Sequence, residues 1–415
     1  MSQALRVLAA LIAGLAAGIA AALAGGDWAA GALAIAQPIG TAWLNGLQMT
    51  VVPLVVALIV TGIAETADAS RAGRLAGRAM VLYLIVLWSG TIMSALVTPQ
   101  LLEFWPIDPA AAHALTSAIA GVAPVGAVPG FGDIIGAMVP SNAVAAAANS
   151  AFLPLVVFTL AFAFAITRLE ATKRELLVGF FRALGDAMLV VIGWVLWLAP
   201  LGVAALAVQV GAKAGTAAFG ALLHYVLVVS AIGAVVWLAA YPIALIGGRV
   251  SLGRFLKASG PSQVVAISTQ SSLASLPAML RGAEALGVPD SASGITLPLA
   301  VAMFRATGPA MNLAVAIYVA RLTGVPLSAA SIIAGIVVAA TTTLGAVSLP
   351  GSISYISSIA PIAAAMGVPI APLGLLVAIE TFPDLVRTLG NVTMDLATTT
   401  VLGRTRGAEA AATAR

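Results

Sequence analysis

Long apolar runs leave this chain few choices. Residues 7–24 contain no Asp, Glu, Lys or Arg, and similar runs recur at about 35–63, 79–102, 153–166, 187–210 and 219–246. A membrane-spanning helix needs about 20 predominantly apolar residues. Composition extends the argument to the whole chain: 61% of its 415 residues are hydrophobic and only 8% are charged, against about 25% charged in soluble domains. The sequence predicts an all-α polytopic membrane protein, with no room for a separate soluble catalytic domain. The first run, followed by Gly25-Gly26-Asp27, is expected to stay as a helix rather than leave as a signal peptide.

Positive charge orients these spans. With the N-terminus in the cytoplasm, the inside set is Arg6, Arg71, Arg74, Arg78, Arg168, Lys173, Arg174, Arg182, Arg249, Arg254, Lys257, Arg281, Arg404, Arg406 and Arg415, or 15 of the 19 Lys and Arg. The pattern predicts both termini inside and an even number of full spans. The net charge of +4 is thereby explained without nucleic acid. Zero cysteines exclude disulfides and thiolate chemistry. Two histidines, His113 and His224, are too few for a histidine metal cluster. No phosphate loop or nucleophile triad appears, so an enzyme is not expected. The 41 Gly and 22 Pro suit close helix packing and broken helices.

The second half is interrupted. The segment 255–285 is broken by STQSS (268–272) and then by SLP (275–277), and the segment 331–366 by GAVSLPG (345–351). Neither half of either segment is long enough to cross. Each precedes a span with an intramembrane arginine, Arg305 and Arg387. This reads as an internal repeat of re-entrant hairpin plus helix. Paired broken segments point to a transporter site near the midplane.

The last span carries the strongest signal, ETFPDLVRTLGNVTMD (380–395). At 100° per residue, Arg387 lies at roughly −60° from Asp384, Thr388 at +40°, Asn391 at −20°, Asp395 at +20° and Glu380 at −40°. One face therefore collects the polar groups. Each charge at the centre of a membrane helix costs roughly 2.5–3.5 kcal/mol. The stripe reads as a binding site or ion path, or as a salt-bridge cluster that only fixes packing. Glu380, Asp384 and Asp395 are candidate proton carriers.

QSSLASLP (270–277), ITLPLA (295–300), SLPGS (348–352), DLVRTLGNVTMDLATT (384–399) and VPSN (139–142) resemble the dicarboxylate/amino acid:cation symporter family, which includes the glutamate transporters. The resemblance implies eight transmembrane helices plus two re-entrant helical hairpins with inverted repeats, an elevator-type transporter fold and a homotrimer. It divides the single membrane domain into a scaffold (about 1–75 and 130–212) and a moving transport domain (about 76–102 and 216–404). Composition adds a disordered tail, 405–415. By resemblance, Asp384 would bind a substrate amino group and Arg387 its side-chain carboxylate. Thr388 and Asn391, with Ser271, Ser272 and the tip Ser348, Leu349, Pro350 and Gly351, would hold the α-carboxylate. The implied substrate is aspartate or glutamate.

The cation sites depart from the family pattern. Phe304-Arg305-Ala306 stands where the seventh helix of relatives has Asn-Met-Asp. Val86-Leu87 replaces a Thr-Ser pair beside Tyr83, and Ala346 replaces a threonine. These side chains offer no oxygen to a hard cation. Arg305 is expected to stand in for a lost sodium ion and to pair with Asp395 or the substrate. The expectation is therefore secondary active transport of acidic amino acids across the inner membrane with altered or absent sodium coupling. No cofactor is expected, and the coupling ion would be H+ or residual Na+ at Asp395. The alternatives are a C4-dicarboxylate or other organic-anion transporter, or a non-transporting anion channel or receptor on the same scaffold.

Overall fold

The computed structural model describes residues 3–24, 27–71, 74–118, 139–149, 151–214, 217–345 and 352–413. Their regular elements are helices. The first half comprises α1 (Gln3–Ala24), α2 (Asp27–Gln48), α3 (Val51–Arg71), α4 (Arg74–Phe104), α5 (Pro109–Ala118), α6 (Ala143–Ala148), α7 (Phe152–Ile166), α8 (Ala171–Trp197) and α9 (Ala199–Ala214). Next come α10 (Ala217–Pro242) and a π turn (Ile243–Gly247). The second half follows with α11 (Leu252–Thr269), α12 (Ser272–Ala285), α13 (Asp290–Met303), α14 (Gly308–Thr323), α15 (Ala329–Gly345), α16 (Ser352–Ala365), α17 (Ala371–Leu376) and α18 (Thr381–Thr413). Among the described residues, six stretches are long and apolar enough to cross a membrane, including Arg6–Ala24, Ala30–Ala64 and Arg74–Phe104.

Proline sets several boundaries that the apolar runs hid. The run at 35–63 is two helices, because Pro53 cannot donate to the carbonyl of Met49 and its ring crowds that turn. The run at 187–210 starts earlier, at Ala171, and breaks at Leu198, two residues before Pro200. The seventh span is also broken: α13 stops at Met303, Phe304–Thr307 are non-helical, and α14 restarts with Pro309 in its first turn. By contrast, Ser275–Pro277 does not interrupt anything, since α12 carries Pro277 inside it. The last helix continues along its backbone to Thr413, across the segment whose composition suggests disorder.

Hairpin one is formed by α11 and α12, which pack on each other and on α18. Its turn is tight: Gln270 takes a left-handed conformation (φ 51°) and Ser271 caps α12 by accepting from the Ala274 amide at 3.2 Å. The second hairpin pairs α15 with α16, and its tip, 346–351, lies outside the described residues.

Two large apolar cores result, with a small third one of Val60, Ala64, Ala163, Ile166 and Val178. One joins α1 to α3, α9 and the lower part of α10 to α14, α15 and α16. The other joins α4, the far end of α10, hairpin one, α13 and α18. Glycine permits the closest approach in the first: a Cβ on Gly14 would collide with Ala204 and Ala207, so α1 and α9 touch backbone to backbone.

Candidate functional site

The site forms where two broken spans meet. Glu380 ends a turn between α17 and α18, so it is not on the regular helix that the sequence assumes. The turn nevertheless brings it onto the polar face of α18. Arg387 is buried, with its side chain 6% exposed, and its Nη1 donates both to Glu380 Oε1 and, at 3.1 Å, to Asp384 Oδ1. Glu380 Oε2 accepts from Tyr225 Oη of α10 at 3.2 Å, and Tyr225 Oη lies 3.1 Å from Tyr355 Oη of α16. Two carboxylates thus hold one edge of the guanidinium, and a tyrosine pair braces Glu380 from behind. Its other nitrogens, Nε and Nη2, are buried with no hydrogen-bond partner.

The break at Phe304–Thr307 supplies the facing wall. Asn391 Oδ1 accepts from the Thr307 amide at 2.9 Å. Thr307 Oγ1 lies 2.8 Å from both that oxygen and the Arg387 carbonyl oxygen. An unwound turn leaves backbone groups unpaired inside the membrane, and side chains of the neighbouring helix satisfy them here. Asn391 is therefore engaged in holding the break. Thr388 is buried beside it, at 5% exposure. Arg305 lies in the same break. The local charge set is balanced, with two arginines and two carboxylates.

Asp395, two turns further along α18, is different. It is 1% exposed and neither carboxylate oxygen has a hydrogen-bond partner. Of the two partners expected for Arg305, Asp395 or the substrate, Asp395 has neither oxygen hydrogen-bonded. Phe304 is stacked on Tyr83, with ring centroids 4.3 Å apart and planes 11° apart. The Tyr83 hydroxyl donates away from the carboxylate, to the Thr296 carbonyl at 2.9 Å. Val86 and Leu87 are buried alongside.

Hairpin one closes on this region through Gln270, whose amide donates to the Thr381 carbonyl at 3.0 Å. Ser271 is occupied as a cap and Ser272 is half-buried at the start of α12. The candidates Ser348, Leu349, Pro350 and Gly351 lie outside the described residues. Sequence reasoning missed Tyr225, Tyr355 and Thr307. The signal for the tyrosines was weak but present, since a phenol deep in an apolar run needs a polar partner for its hydroxyl. His224, next to Tyr225 in the chain, bridges the Tyr318 hydroxyl and the Trp105 carbonyl.

A family model described as the sodium:dicarboxylate symporter family matches residues 4–405. A proton/glutamate-aspartate symporter of Escherichia coli (strain K12) is 27% identical over 388 residues, covering 88% of this chain and 84% of the relative. A C4-dicarboxylate transport protein of Rhizobium johnstonii is 28% identical over 385 residues, covering 89% and 82%. Another protein of that name, from Leptothrix cholodnii, is 26% identical over 380 residues, covering 89% and 83%.

Proposed function

The chain belongs to the sodium:dicarboxylate symporter family, and from that premise we propose that it carries acidic amino acids, aspartate or glutamate, across the bacterial inner membrane. The family is one of transporters, and this chain is a multi-pass membrane protein. One observation carries the finer reading: Arg387 is buried and held at Nη1 by Glu380 and Asp384, while Nε and Nη2 have no partner. Those two nitrogens form the side of the guanidinium that accepts a carboxylate bidentately. Arg305 adds a second positive charge to the same neighbourhood, suited to the second carboxylate of a dianion. Asp384 supplies the anion that an α-ammonium group requires.

A C4-dicarboxylate is the second reading, and the same ion pair favours it. Asp384 Oδ1 is already engaged by Arg387, and a substrate without an amino group asks nothing more of it. In both readings transport proceeds by an elevator motion within a homotrimer, with the hairpins as gates. Sodium coupling is reduced, because Phe304, Val86 and Leu87 offer no oxygen near Tyr83. Asp395, with two unpartnered oxygens, remains to take a proton or a residual sodium ion.

The test is uptake of labelled L-aspartate into proteoliposomes, with and without sodium at matched ionic strength, in competition with unlabelled succinate. Saturable uptake that excess succinate leaves intact, and that Arg387→Cys abolishes, is the expected result. Preferential uptake of succinate selects the second reading. Uptake of neither, under sodium and proton gradients alike, overturns both.

A further inference from the structure

At the end of the molecule away from the acidic-substrate site, three arginines from distant parts of the chain converge on one cavity of about 450 Å³. Arg249 follows the π turn, Arg254 opens α11, and Arg404 lies near the end of the described side chains of α18. The remaining wall is Leu286, Gly287, Val288 and Pro289, the turn between α12 and α13, with Thr400 and Gly403 of α18. No acidic side chain lines the cavity among the described residues. The positive-inside pattern accounts for arginines at this end of the spans. It does not account for their gathering around one hollow.

Three features mark the hollow as built. Arg254 Nη2 donates to the Ala285 carbonyl at 3.3 Å, and Arg404 Nη1 to the Gly247 carbonyl at 3.4 Å. Each guanidinium is thus steered by one nitrogen and keeps other donors available. Arg249 holds a left-handed backbone, φ 52°, a conformation that costs a non-glycine residue of order 1–3 kcal/mol. The chain keeps arginine there although glycine would fit without strain. The walls also meet at glycine: a Cβ on Gly403 would strike Val288, and one on Gly248 would strike the Ala244 carbonyl and Thr400.

We propose that this cavity binds a phosphate-bearing anion, gripped by Arg249, Arg254 and Arg404. Guanidinium forks match phosphate oxygens bidentately, and three of them balance a group carrying one to three negative charges. The same chemistry is offered by the headgroup of an anionic phospholipid and by a soluble phosphate compound. The occupied site ties the end of α18 to the turn between hairpin one and α13. The proposal is independent of which substrate the transporter carries.

The experiment uses the full-length purified protein and compares wild type with the triple variant R249Q/R254Q/R404Q. One arm follows retention of phosphatidylglycerol, against phosphatidylcholine, by native mass spectrometry from mixed-lipid nanodiscs. The other follows thermal protection by inorganic pyrophosphate, against chloride at equal ionic strength. Selective retention of phosphatidylglycerol that falls about tenfold in the triple variant assigns a lipid headgroup. Pyrophosphate protection that the triple variant loses, with no lipid selectivity, assigns a soluble ligand. R249G removes one guanidinium while relaxing the backbone, so a several-fold loss of binding with no loss of melting temperature is expected from it. If R249G binds phosphatidylglycerol and pyrophosphate as wild type does, or wild type prefers neither, the proposal is overturned.

Discussion

Arg387 and Asp395 lie on one helix, eight residues and about 12 Å apart along its axis, yet their surroundings are opposites. Arg387 sits in a set of groups that nearly satisfy one another: Glu380, Asp384, Tyr225 and Tyr355 around one edge of its guanidinium. Asp395 is buried with neither oxygen bonded, on the helix whose apolar neighbours share a core with Phe304, Tyr83, Val86 and Leu87. A buried charge is costly unless it is paired, so the first region is tolerable as it stands and the second awaits a partner. The comparison teaches where variable ligands enter. On the proposed function, a substrate would complete the fork at Arg387, and a small cation or proton would be taken up at Asp395, whose oxygens no side chain bonds.

The sharpest way to break that contrast is at Arg387 itself. Arg387→Ala leaves Glu380 and Asp384 facing each other unpaired, a loss of about 3–5 kcal/mol for a broken buried pair. Uptake of labelled aspartate or succinate in proteoliposomes is expected to fall by more than about 100-fold. Wild-type-like uptake would show that the guanidinium is a packing element only.

Phe304→Asn tests the other pole. It replaces the ring stacked on Tyr83 with an oxygen donor and leaves a cavity, costing about 3–5 kcal/mol as a large-to-small change in a buried position. Sodium-stimulated uptake several-fold above wild type is expected from the protein that folds. A variant that folds and gains no sodium response places the loss of coupling elsewhere.

Asp395→Asn removes the unpartnered charge. The melting temperature is expected to rise by about 1–2 °C, since about 1–2 kcal/mol of buried-group penalty is relieved. Any stimulation of uptake by sodium or a proton gradient should vanish with it. Retained stimulation would mean that Asp395 is not where the driving ion binds.

Tyr225→Phe is the smallest intervention, deleting the hydrogen bonds of its hydroxyl to Glu380 and Tyr355, each worth about 0.5–1.5 kcal/mol. Glu380 then holds Arg387 alone with Asp384, and the substrate KM is expected to shift by several-fold with maximal uptake little changed. No shift in KM would separate the tyrosine pair from substrate binding.

Much of this arrangement was legible before any coordinate. The polar stripe from Asp384 to Asp395 follows from helical periodicity, and the ion pairing of Arg387 with Asp384 follows from their three-residue spacing. The hairpin turn at Gln270–Ser271 was announced by its serine-rich interruption of an apolar segment. The break at Phe304–Thr307 was not, although Gly308-Pro309 directly after it is a helix-start signal. Nor did spacing reveal that Glu380 lies in a turn. Pro372 and Pro383 on either side were the only local hints.

The sequence by itself determined that the chain must be a bundle of membrane helices and that its last span holds a costly polar face. Those conclusions depend on local composition and on period, which a linear reading preserves. Only the tertiary structure decided which charges meet. Arg305 and Asp395 are ninety residues apart in sequence and belong to different elements, so their pairing turned on how far the unwound stretch carries a side chain along α18. It carries Arg305 toward Asp384 and Arg387. The reach of a side chain across a helix break is set by packing, and packing is the part of the physics that residue order does not state.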